Sequence, residues 1–237
     1  MALLLNIETS TAVCSVALGK DGKLLALKEN KEGMKHASHL TIFIENILKE
    51  NGLTTADLDG VAVSMGPGSY TGLRIGVSTA KGICFGSNIP LIAVSTLEAL
   101  TKALQETNDL KGKLKDPEQA YYCPMIDARR MEVYTSFYNS KTEQVKDISA
   151  DIIDENSFSD ELSNREIVFF GDGSEKCKEV IKSDSGIFLD NITTTAVGMV
   201  ELAEQKFNNK ELEDVAYFEP FYLKDFVATT PKKNIFK

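Results

Sequence analysis

The chain has 237 residues, enough for one large domain or two lobes of about 120 residues each with its own core. Its 43% hydrophobic and 26% charged content is that of an ordinary globular protein, and no run approaches the roughly 18 apolar residues of a membrane span. A formal net charge of −9 argues against the chain gripping nucleic acid alone.

Met1-Ala2-Leu3-Leu4-Leu5 is apolar but meets Asn6 and Glu8 at once, so it reads as the start of a first strand and not as a signal peptide. Leu3–Ile7 and Val13–Gly19 are predicted strands joined through Thr9-Ser10-Thr11. Asp21-Gly22 is a hairpin signal before a returning strand over Leu24–Lys28. Leu40, Phe43, Ile44, Ile47 and Leu48 recur at helical spacing, and Gly52 ends that helix. Gly60–Ser64 reads as a strand, residues 71–86 as a helix, Leu91–Val94 as a strand, and a third helix runs to Leu104 from a cap at Ser95 or Thr96.

Residues 107–119 are polar and rich in helix breakers, as in a linker. Strands follow at Tyr121–Ile126, Glu132–Tyr138 and Gln144–Ile148, then a short helix at Phe158–Leu162. A strand at Ile167–Phe170, a helix at Ser174–Ile181, a strand at Ile187–Leu189 and a helix at Thr195–Phe207 complete the order. Both halves thus read strand-strand-strand-helix-strand-helix-strand-helix. That repeat predicts two α/β lobes, each a mixed sheet with flanking helices, and a cleft between them: residues 1–106, linker 107–119, residues 120–208 and a tail 209–237.

Gly66-Pro67-Gly68-Ser69-Tyr70-Thr71-Gly72-Leu73-Arg74-Ile75-Gly76 turns the chain out of a strand into the second helix, with Ser69 or Thr71 as cap. Gly72, Gly76 and Ala80 form one stripe, and Gly82 and Gly86 a second four-residue pair. A helix-interior glycine costs roughly 0.8–1 kcal/mol relative to alanine, so these positions need a reason in packing, against either the same domain or another chain. The motif lacks the Gly-Lys-Ser/Thr ending of a P-loop.

Glu8, Thr9 and Ser10 end the first strand, where nucleotide-binding lobes carry an acid and face phosphate. Asp127 occupies the equivalent place in the second half, and Gly171 and Gly173 flank a later turn. Ala128 and Arg129 stand where a phosphate-cradling hairpin needs glycine, so these six residues make at most a vestigial nucleotide site. His36 and His39 lie three apart with no third ligand at a regular offset, so no metal site is expected. Cys14, Cys84, Cys123 and Cys177 are scattered, the pattern of reduced buried thiols in a cytoplasmic protein. No Ser-His-Asp arrangement is suggested.

Asn6-Ile7-Glu8-Thr9-Ser10, Cys14-Ser15-Val16-Ala17-Leu18, Lys35-His36-Ala37 and the glycine motif, followed by Val94-Ser95-Thr96-Leu97, Ile126-Asp127-Ala128-Arg129 and Pro220-Phe221-Tyr222-Leu223, resemble the TsaB (YeaZ) family. That family works in the bacterial synthesis of threonylcarbamoyladenosine on tRNA. The resemblance implies an acetate/sugar kinase, actin-like (ribonuclease H-like) fold and a chain that is not itself the catalyst.

It further implies a heterodimer with the transferase TsaD, recruitment of the ATPase TsaE, a homodimer when alone, and tRNA contact only through the complex. The implied partner-binding helices span residues 38–51 and 71–86, with Leu40, Phe43, Ile44, Ile47, Gly72, Gly76 and Ala80 at the interface. No cofactor is firmly implied, though ATP or ADP at the partner interface stays open. Glu8 departs from the family's usual Asp. The competing readings are an independent ATP-using kinase or ATPase of the same fold and, behind it, a metallopeptidase (glycoprotease) using His36 and His39.

Overall fold

A computed structural model describes residues 2–31 and 36–224. The first sheet is built from β1 (Leu3–Glu8), β2 (Cys14–Lys20), β3 (Lys23–Asn30), β4 (Gly60–Gly66) and β5 (Leu91–Ser95), in the order β3-β2-β1-β4-β5. β1 runs antiparallel to β2 and parallel to β4, and β4 is parallel to β5. Parallel neighbours need crossovers, which α1 (His36–Glu50) and α2 (Tyr70–Ser87) supply. The central strand β1 is buried over Leu4–Glu8, as a strand covered on both faces should be.

The second sheet contains β6 (Tyr121–Asp127), β7 (Glu132–Tyr138), β8 (Gln144–Ile152), β9 (Ile167–Phe170) and β10 (Gly186–Phe188), ordered β8-β7-β6-β9-β10. Strand for strand it repeats the first, so the two-lobed fold read from element order is the fold found. Residues 107–119 form neither helix nor strand. The helix expected over Ser174–Ile181 is instead a 3-10 turn, Glu175–Cys177, followed by turns. Its i→i+3 bonds from Cys177 N–H to Ser174 and from Val180 N–H to Cys177 tighten the chain before a regular α-helix propagates.

The lobes exchange helices. α3 (Thr96–Gln105) leaves β5 but buries Leu97, Leu100 and Leu104 among Tyr122, Ile126, Tyr138 and Phe170 of the second sheet. Conversely, beyond the short α4 (Ser159–Asn164), α5 (Val200–Asn209), preceded by a 3-10 turn over Ala196–Met199, packs Ala196, Met199, Val200 and Ala203 against Leu4, Ala17, Ile92 and Val94 of the first sheet. The last helix, counted by chain order within 120–208, therefore belongs by packing to the first lobe. Lys102 of α3 and Glu201 of α5 pair at 2.7 Å where the two helices meet.

After α5 the chain returns along α2. Lys81 Nζ donates to the carbonyls of Ala216 and Phe218 at 3.1 and 3.0 Å, and Phe221 N–H donates to the Met65 carbonyl at 2.7 Å. The Arg74 guanidinium sits 4.1 Å above the Tyr70 ring while its Nε donates to the Tyr222 hydroxyl at 3.2 Å. Two residues later Lys224 pairs with Glu132 of the second lobe. The tail thus straps α2 to both lobes. The basic residues Lys232, Lys233 and Lys237 lie outside the described residues.

Candidate functional site

The glycines of α2 fall into two classes. Gly72 and Gly76 are buried, and a Cβ on either would overlap Thr9, on its carbonyl at Gly72 and on its hydroxyl at Gly76. Thr9 Oγ1 in turn donates to the Gly72 carbonyl at 2.8 Å. Ala80 is fully buried in the first core with Val63 and Cys84. The bare stripe Gly72-Gly76-Ala80 is therefore covered by its own β1–β2 turn and core. Leu40, Ile44 and Ile47 of α1 are likewise core residues, while Phe43 is half-buried against His39. Six of the seven residues expected at a partner interface are thus buried within this chain, Ile44 among them also lining the groove described next.

Gly82 and Gly86 face the other way. A Cβ at either would meet nothing within 4 Å among the described residues, and Phe85 between them is 85% exposed. Beside this face a groove of about 460 Å³ opens between α1 and α2, lined by Ile44, Leu48, Leu53, Thr79 and Ile83. Small residues and one exposed aromatic thus lie side by side on a helix flanked by this groove. The four-residue Gly82–Gly86 spacing is visible in the sequence; which face it occupies is not.

The β1–β2 turn is sealed. Ser69, the cap of α2, accepts from Gly72 N–H, and its own N–H donates to the Ser10 carbonyl at 2.6 Å. A Cβ at Gly68 would strike that same carbonyl. Glu8, Thr9 and Ser10 are all fully buried. Glu8 Oε1 accepts from Ser10 N–H at 2.6 Å and from Ser64 Oγ at 3.1 Å, while Oε2 has no partner among the described residues. Burial pushes the Glu8 carboxyl above the usual carboxylate range, against the opposing pull of the bonds from Ser10, Ser64 and Thr9. The Ser10 and Ser69 N–H groups are bonded within the turn and α2 lies over it, while the buried Ser10 hydroxyl has no partner among the described residues.

In the second lobe Gly173 N–H donates to the Met125 carbonyl at 3.0 Å, and the bare Cα atoms of Gly171 and Gly173 let that turn press on the end of β6. Asp127 N–H donates to Asp172 Oδ1 at 3.0 Å, and the Asp127 carboxylate pairs with Lys176. Burial, with the neighbouring Asp127 charge adding to it, raises the Asp172 carboxyl, while the Asp127 N–H opposes the shift. Asp127, Gly171 and Gly173 lie together at the end of β6, but no hydrogen bond among the described residues joins them to Glu8, Thr9 or Ser10. Nearest that turn, the Thr11 and Thr194 hydroxyls lie 2.7 Å apart. His39 packs on Phe43, and the His36 side chain lies outside the described residues.

A family model described as "TsaD: tRNA N6-adenosine threonylcarbamoyltransferase" matches residues 30–232. The tRNA threonylcarbamoyladenosine biosynthesis protein TsaB of Escherichia coli is 30% identical over 95% of this chain and 96% of its own. The chain belongs to the TsaB branch of the TsaD family. TsaB of Bacillus subtilis is also 30% identical, over 93% of each chain. YeaZ from Pseudomonas aeruginosa superposes with a TM-score of 0.79 over 94% of this chain and all of that one, at 23% identity, which shows the shared fold. Membership of the TsaB family places the chain in the biosynthesis of threonylcarbamoyladenosine on tRNA. Among the described residues no helix is long and apolar enough to cross a membrane.

Proposed function

We propose that this chain is a non-catalytic subunit that docks a TsaD-type transferase through the outward face of α2 and its groove with α1. In this reading the transferase performs the chemistry on the adenosine next to the anticodon, and the assembled pair recruits TsaE. The observation that carries it is the face bearing Gly82, Phe85 and Gly86, two helix glycines with no packing reason among the described residues and an exposed aromatic between them. The buried β1–β2 turn supports the reading over that of an independent ATPase, because the Ser10 and Ser69 N–H groups are bonded internally and α2 covers the turn. Without the transferase the same face pairs two copies of the chain, as self-complementary patches do.

The test is calorimetric titration of the purified chain into a TsaD-type transferase, alongside Phe85→Ala. Burying an exposed phenyl ring is worth about 1.5–3 kcal/mol, so the variant should bind at least about tenfold more weakly with an unchanged circular dichroism spectrum. Equal affinity, or ATP turnover by the lone chain, would overturn the assignment.

A further inference from the structure

The β6–β7 hairpin carries two charges that the fold does not use. Arg129 and Arg130 occupy its tip with φ of +71° and +52°, and the turn closes by Ala128 N–H to Glu132 O and Glu132 N–H to Arg129 O at 3.1 and 3.2 Å. Two successive left-handed residues are the place for Asn-Gly, since each side chain there crowds its own backbone. Both arginines are exposed, and neither guanidinium meets a hydrogen-bonding or ion-pair partner among the described residues.

The rest of the chain treats arginine differently. Of its 26 basic residues four are arginine. Arg74 stacks on Tyr70 and bonds Tyr222, and Arg165 lies 3.9 Å above the Tyr121 ring. The remaining two are adjacent on one exposed tip. Nearby carboxylates are already matched: Asp127 pairs with Lys176, and Glu132 with Lys224. On a chain of net charge −9 the tip thus carries two adjacent cations unpaired among the described residues, with the carboxylates of Asp127 and Glu132 beside it already paired.

We propose that Arg129 and Arg130 contact the backbone phosphates of the RNA substrate when the chain is assembled with its transferase, an inference that rests on the function proposed above. The planar guanidinium fork matches a phosphate oxygen pair, and it makes this match better than a lysine ammonium does. An RNA is favoured over an acidic protein because tRNA is the molecule modified in this pathway. The position is suitable as well. The hairpin is tied by Glu132–Lys224 to the strap, and two residues before Lys224 the strap touches Arg74 and Tyr70 in the first turns of α2, so the hairpin lies toward the end of α2 away from Gly82, Phe85 and Gly86, clear of the docking face itself. The lone chain remains too acidic to hold RNA; the contact adds to those of the partner.

The experiment compares the full chain, Arg129→Gln/Arg130→Gln and Arg129→Lys/Arg130→Lys, each first titrated against the transferase and then, as the assembled complex, against labelled tRNA across a salt series. The Gln pair should bind the transferase unchanged. Its complex should hold tRNA about tenfold or more weakly, with the log–log salt slope shallower by about 1.4–1.8, the loss of two phosphate contacts. The Lys pair should restore the slope. Unchanged tRNA affinity and slope in the Gln complex would overturn the inference and leave the docking assignment standing. Loss of transferase binding with the tRNA slope intact would mean that the tip meets an acidic protein surface instead. Failure of the parent chain to pair at all would overturn both.

Discussion

Alanine at the four glycines of α2 should act with opposite signs. At Gly82 and Gly86 the new methyl group enters open space, so the variant gains the helix propensity that glycine forfeits, about 1 kcal/mol at Gly82 and about half that in the last turn. A chain of this length unfolds with an entropy of about 0.5 kcal/mol/K, so the double variant should melt about 3 °C higher. At Gly72 and Gly76 the same methyl group is driven into Thr9, and each variant should lose more than about 2 kcal/mol, a fall of 4 °C or more. Scanning calorimetry of the four single alanine variants reads the signs directly. Gly82→Leu/Gly86→Leu then separates folding from docking, since it should melt no lower than the parent yet fail to bind the transferase. A lower melting temperature for Gly82→Ala would refute the open-face geometry, and unchanged transferase affinity for the leucine pair would refute the docking face.

Two further outcomes rest on buried groups. Because the folded Glu8 carboxyl is raised above its unfolded value, the protonated form is the one the fold prefers. Its contribution is therefore fully present below about pH 4.5 and is lost as pH rises through the folded value. Glu8→Gln should consequently be more stable than the parent at pH 8, by about 1.4 kcal/mol for each unit of elevation removed, and should match it near pH 4; urea titrations at the two pH values decide this. Burial pushes the Cys14, Cys84 and Cys177 thiols up to about 11, so at pH 8 about one in a thousand is ionised. A disulfide-exchange reagent should label none of them in the native protein and all of them in urea, and rapid native labelling would contradict the packing.

The fold was legible because its periodicities are local. Alternating and continuous apolar runs marked the strands, and Leu40, Ile44, Ile47 and Leu48 marked the buried face of α1. What covers a bare stripe is not local. Gly72 and Gly82 look equally naked in sequence, yet one faces Thr9, more than sixty residues earlier, and the other faces solvent. For the same reason Thr195–Phe207 could be recognised as helical but not placed, since chain order does not say which sheet a helix returns to. The β1–β2 turn could be seen to carry an acid and hydroxyls; that Ser69 and Gly68 close over it depends on a contact between distant segments. The idle arginines became visible only once Arg74 and Arg165 were seen to be occupied.

The reciprocal seating of α3 and α5 makes the two halves interdependent. Cutting the chain between residues 107 and 119 would leave residues 1–106 with Ile92 and Val94 uncovered and with the leucines of α3 protruding as an unmated ridge. The complementary fragment would carry an orphaned α5 and an open hydrophobic floor. Neither piece would be a domain in the sense of folding unaided, and a mutation that loosens one helix would be felt first on the opposite side of the molecule.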